Sequence, residues 1–111
     1  LRIALFGDSF IHGDEVGYQD TIGARLEQTL RRAGHAVEVL NFGVSGYGTD
    51  QALLRWRKHG RALHPEVVVQ GLQMSNVSRN ANLVRQLYRP HSGFAFSKPR
   101  FRLEGGRLEL L

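Results

Sequence analysis

The chain has 111 residues, of which 41% are hydrophobic and 23% charged, with 13 Gly, 3 Pro and no Cys. That length holds one small domain, and the balance excludes a disordered chain, a disulfide framework and a thiolate metal site. The formal net charge of +5 is lopsided, with 4 basic and 7 acidic side chains in residues 1–54 against 11 and 3 in residues 55–111. No apolar run of about 18 residues is present to span a bilayer, and no charged segment leads into an apolar one as a signal peptide would. Localisation stays open.

In chain order, the apolar run Ile3-Ala4-Leu5-Phe6 predicts a buried strand over 2–6. A helix follows over about 19–33, with Ile22, Leu26 and Leu30 on one face, Asp20 as N-cap and Gly34 as the stop. A second strand covers 36–40. Thr49 or Asp50 caps the next helix, which carries Leu53, Trp56 and Leu63 and ends before Pro65. The basic cluster Arg55, Arg57, Lys58 and Arg61 lies on that helix and reads as a solvated face, not a nucleic-acid interface. Residues 66–71 make a third strand. Asn80 is placed to cap a further helix with Leu83, Val84, Leu87 and Tyr88 inward, ended by Pro90. After an Arg-rich, Ser- and Pro-interrupted stretch from about 89 to 102, Phe101–Leu103 and Leu108–Leu110 flank Gly105-Gly106 as a β-hairpin. Strand, helix, strand, helix, strand implies right-handed crossovers and a parallel sheet.

The first strand runs into Gly7-Asp8-Ser9-Phe10, a tight turn that sets Ser9 at the carboxyl edge of the sheet, where open α/β folds place their ligands. Ser9 is therefore a candidate nucleophile. The second and third apolar runs end in the same manner, one in Asn41-Phe42-Gly43-Val44-Ser45-Gly46 and the other in Gly71-Leu72-Gln73-Met74-Ser75-Asn76. Three strand ends thus carry polar or Gly-rich turns.

In these three blocks, spread over residues 2–80, the sequence resembles the SGNH hydrolases, also called GDSL-type esterases and lipases. Gly7-Asp8-Ser9-Phe10 with Gly13 and Val16 is similar to the first block of that family, Asn41–Gly46 to the second, and Gly71–Asn76 to the third. The resemblance implies a flavodoxin-like, three-layer α/β/α fold with a parallel sheet. It also implies roles: Ser9 as nucleophile, the Gly46 backbone N–H and the Asn76 side-chain amide as oxyanion donors. Gly46 lets the backbone approach a substrate with no Cβ in the way, and Asn76 donates without adding charge. Asp8 is assigned to bracing the turn and Asn41 to anchoring the second loop, with Asp14 and Glu15 as loop solvation.

Two departures stand out. Val77 occupies the place where the family has Asp. The fourth block, an Asp-x-x-His that supplies base and orienting carboxylate, is missing, since the last Asp is Asp50. Of the five His, His12 sits in a loop position the family fills variously, His35 at a helix end, His59 in the basic helix, and His64 and His91 beside prolines. The missing block, the start at Leu1 and the apolar end at Leu108–Leu111 together read as a single partial domain over 1–111, incomplete at the C-terminus, with the hairpin as an insertion.

The leading reading is the N-terminal portion of a serine hydrolase acting on acyl or acetyl esters of small molecules or carbohydrates, with no cofactor, no metal, no nucleic acid and no membrane span. A non-catalytic SGNH-like ligand-binding module is the second. A nucleotide or polyanion binder is the third, disfavoured because Gly43-Val44-Ser45-Gly46 fits neither a P-loop nor a dinucleotide fingerprint.

Overall fold

The computed structural model describes residues 1–84, 91 and 96–111. The three apolar runs form parallel strands β1 (Arg2–Phe6), β2 (Glu38–Asn41) and β3 (Val67–Gln70), in the order β2-β1-β3. Leu5 lies opposite Asn41 and Phe6 opposite Gln70, so all three strands end level. The segments that follow them leave the sheet at one edge.

Alternation along β1 builds the layers, because successive side chains of a strand point to opposite faces. Ile3 and Leu5 pack with Ile11, Val37 and the Leu26 and Leu30 side chains of helix α2 (Ile22–Arg32). Ala4 and Phe6 pack instead with Phe42, Ala52 of helix α3 (Thr49–Arg55), and Trp56. Helices therefore cover both faces of β1, the arrangement that parallel strands require. Phe6 stacks on Phe42 with ring centroids 4.8 Å apart and meets Trp56 edge-on at 5.8 Å. Full burial of such a side chain is worth about 1.5–3 kcal/mol.

Several boundaries differ from the sequence expectation for identifiable reasons. The cap of α2 is Thr21, whose Oγ accepts the Ala24 N–H at 3.2 Å; Asp20 ends a short 3-10 turn (Tyr18–Asp20) and pairs with Arg25. Gly34 follows the helix in the left-handed region, at φ 89°, as its stop role requires. The N-cap of α3 is Gly48, not Thr49 or Asp50, and the helix continues as a π turn (Trp56–Gly60) and a 3-10 turn (Arg61–Leu63). Helix α4 (Met74–Ala81) begins well before Asn80, which lies inside it. Leu83 and Val84 come after that helix, Val84 bridging to Ser97, while Leu87, Tyr88 and Pro90 lie outside the described residues. The hairpin pairs β4 (Phe101–Glu104) with β5 (Arg107–Leu110) about Gly105 and Gly106. The Arg57 guanidinium lies 5.6 Å from the Phe101 ring.

β3 is covered much less well than β1. Ile3, Ala4, Leu5 and Phe6 are 0–6% exposed, whereas Val67, Val68 and Val69 are 40–47% exposed. No described helix is long and apolar enough to cross a membrane.

Candidate active site

The turn after β1 is built by Asp8. This residue caps the short helix α1 (Ser9–His12), its Oδ1 accepting the Phe10 N–H at 3.1 Å. Ser9 is consequently the first residue of α1, half-buried, on a cleft of about 430 Å³ shared with Ser45, Val16 and Ile22. Among the described residues its hydroxyl has no hydrogen-bond partner.

The loop after β2 is seated directly on α1. Phe42 N–H donates to Leu5 O at 2.8 Å and Val44 N–H to Gly7 O at 3.1 Å, continuing the line of the sheet past its end. Asn41 donates from Nδ2 to Ile11 O at 2.7 Å and accepts the Gly43 N–H at 2.9 Å. The two chains come so close that a Cβ at Gly43 would lie 2.4 Å from His12 N. The loop then turns at Gly46, which is buried with φ 76°, a conformation that glycine adopts freely. Its backbone N–H has no hydrogen-bond partner among the described residues.

The loop after β3 brings in Asn76, the third residue of α4. Its Oδ1 accepts the Gln73 N–H at 2.6 Å, which holds the start of that helix, and its Nδ2 donates to Asp8 Oδ2 at 2.8 Å and to Tyr47 O at 3.2 Å. One helical turn later, Arg79 Nη1 donates to the same two acceptors, at 2.9 Å and 3.1 Å. Asp8 and Asn76 are each only 2% exposed. Burial alone would raise the Asp8 carboxyl; bonds from Asn76, Phe10 and Arg79, with the Arg79 charge, outweigh it and hold it below the ordinary carboxylate value.

Ser9, Gly46 and Asn76 are thus joined at one sheet edge through a shared node. Asp8 precedes Ser9, Tyr47 follows Gly46, and Asn76 is bonded to both of those neighbours. In this arrangement both Asn76 amide hydrogens have protein acceptors. Asn41 and Asp8 hold the positions assigned to them from sequence. Arg79 carries no motif signal of its own; it stands three residues after Asn76, on the same helix face, a spacing hidden when the helix is expected to start at Asn80.

Among the described residues, none of the five imidazoles is hydrogen-bonded to the Ser9 hydroxyl. His12 Nδ1 is 3.0 Å from Gly43 O and Nε2 is 3.6 Å from Asp14 Oδ1, so its ring faces the second loop. His35 and His64 lie at the opposite edge of the sheet, lining a depression of about 850 Å³ with Leu1, Arg2, Val37 and Glu66. That space is larger, but it lacks a nucleophile and is wide open. His59 and His91 are exposed. Among the described residues no three His, Asp or Glu side chains are grouped to hold a metal ion.

Close to the node is a second buried ion pair. Asp50 Oδ1 accepts the Gln51 N–H at 2.7 Å, its Oδ2 pairs with Lys98, and the Lys98 N–H donates to Leu83 O at 2.9 Å. These contacts dock residues 96–98 against the start of α3. They enclose a cavity of about 110 Å³ whose walls include Gly46, Arg79 and Lys98.

No family model matches the chain, and no curated protein matches it in sequence. Solved structures do. The crystal structure of TesA aligns with a TM-score of 0.64 and 23% identity, over 71% of this chain and 44% of that one. That of AlinE4, described as an SGNH-hydrolase family esterase, aligns with a TM-score of 0.62 and 30% identity, over 70% of this chain and 42% of that one. The chain therefore spans less than half the length of these structures, and over the matched part its fold is similar to that of an SGNH-hydrolase esterase.

Proposed function

We propose that this chain is the nucleophile-bearing portion of an SGNH-type serine hydrolase that cleaves acyl or acetyl esters. The observation that carries the reading is the Ser9 hydroxyl, without a hydrogen-bond partner among the described residues, on a cleft at the carboxyl edge of β1 next to the loop that bears Gly46. In the reaction, Ser9 Oγ attacks the ester carbonyl carbon and its proton passes to a base. The resulting oxyanion is met by the backbone N–H groups of Ser9 and Gly46 and by the Asn76 amide. Collapse breaks the bond to the alcohol, which leaves with the proton, and water then releases the acid from the acyl-serine. A fixed donor of this kind is worth about 3–4 kcal/mol of barrier.

The base is assigned to an Asp-x-x-His segment outside these 111 residues. Two findings support that: no described His is bonded to Ser9, and the matched structures are more than twice as long as the aligned part. The exposed valines of β3 agree, since parallel strands are ordinarily covered on both faces. The substrate class is a small-molecule or carbohydrate ester.

The test is hydrolysis of p-nitrophenyl acetate by the natural gene product, with fluorophosphonate labelling of Ser9. Ser9→Ala is expected to abolish turnover and labelling together, while the 111-residue segment alone gives little of either. Absence of turnover and labelling in the natural gene product itself, with binding of ester ligands retained, would instead support a ligand-binding module of this fold.

A further inference from the structure

Asn76 meets two demands that conflict. As an oxyanion donor it must offer an amide hydrogen to substrate, yet both of its hydrogens are given to protein acceptors, Asp8 Oδ2 at 2.8 Å and Tyr47 O at 3.2 Å. Withdrawing one without replacement would strand a part-buried acceptor, at a cost of about 1–3 kcal/mol. Arg79 Nη1 already donates to both acceptors, at 2.9 Å and 3.1 Å. Each oxygen that Asn76 serves therefore has a second donor in place, and the longer of the two Asn76 bonds, to Tyr47 O, is the one to release.

Resting on the hydrolase reading, we infer that Arg79 is a positioning residue: it keeps Tyr47 O and Asp8 Oδ2 satisfied, which frees the Asn76 amide to turn one hydrogen to the developing oxyanion. Its side chain is suited to this, being 11% exposed and holding its charge against the Asp8 carboxylate, itself 3% exposed. An arginine cannot lose its proton here, so the donors are present at every working pH.

A double-mutant cycle on the natural gene product tests the inference, with Arg79→Met removing the donors at similar length and Asn76→Ala removing the amide. Arg79→Met is expected to lower kcat for p-nitrophenyl acetate about 10-fold or more with KM changed less than about twofold, up to the 10²–10³-fold typical of a lost oxyanion donor. In the Asn76→Ala background the same change is expected to cost less than about threefold, because Arg79 then has no amide to release. Equal losses in both backgrounds would show that Arg79 merely supports the fold and would overturn the inference. Should Arg79→Met fail to fold, as judged by a thermal melt, the cycle is run with Arg79→Lys, whose kcat loss must likewise vanish beside Asn76→Ala. If Ser9→Ala leaves turnover intact, the hydrolase reading fails and the positioning role fails with it. If Ser9→Ala abolishes turnover but the cycle is additive, only the role of Arg79 is lost.

Discussion

β1 and β3 are neighbours of nearly equal apolar character, yet they occupy different environments. Ala4 and Val68 lie side by side in register; Ala4 is wholly buried and Val68 is 47% exposed. The difference comes from the layers: α2 and the turn bearing Ile11 cover one face of β1 and α3 covers the other, while neither helix packs as a layer over β3. An apolar run thus specifies a strand, whereas its burial depends on what the rest of the chain lays across it.

Four substitutions grade this contrast. Phe6→Ala removes the ring held between Phe42 and Trp56, and is expected to cost about 3–5 kcal/mol in denaturant unfolding. Asp8→Ala removes the cap of α1 and leaves Arg79 without its carboxylate, with a loss of about 3 kcal/mol or more. Because Asp8 is held below its ordinary value when folded, its stabilisation is complete above the normal carboxylate range and drains away as pH falls through the lowered value. An acid titration of the melting temperature should show that loss in the parent and not in the variant. Ala4→Val overfills the packed face of β1, for about 1–3 kcal/mol. Val68→Ala, on the exposed neighbour, should cost under about 1 kcal/mol in the 111-residue segment. A markedly larger cost of Val68→Ala in the natural gene product would show that β3 gains cover there.

Much of this frame is legible in the residues. The three strands, the parallel order, Gly34 as a helix stop and the Gly105-Gly106 hairpin turn all follow from short-range chemistry. α4 is less legible, because neither an apolar stripe nor a Ser, Thr or Asp cap marks its start. Met74 and Val77 are exposed, so the helix shows no apolar stripe, and its first turn is held by Asn76 accepting the Gln73 N–H. The candidate site divides in the same way. Ser9 and Gly46 stand at turns that Gly and Asp announce, whereas the partnership of Arg79 with Asp8 joins residues 71 apart and leaves no local mark.

That separation has a kinetic consequence. The bond from Asn76 to Tyr47 spans 29 residues and encloses the second crossover, and the bond from Asn76 to Asp8 spans 68 and encloses both, so the pair is complete only once both crossovers have closed. Contacts of such high order are made late, after loop-closure entropy has been met by the sheet itself. The surroundings of Ser9 should therefore mature last in refolding, and a probe placed there would report completion of the whole sheet rather than the folding of any single segment.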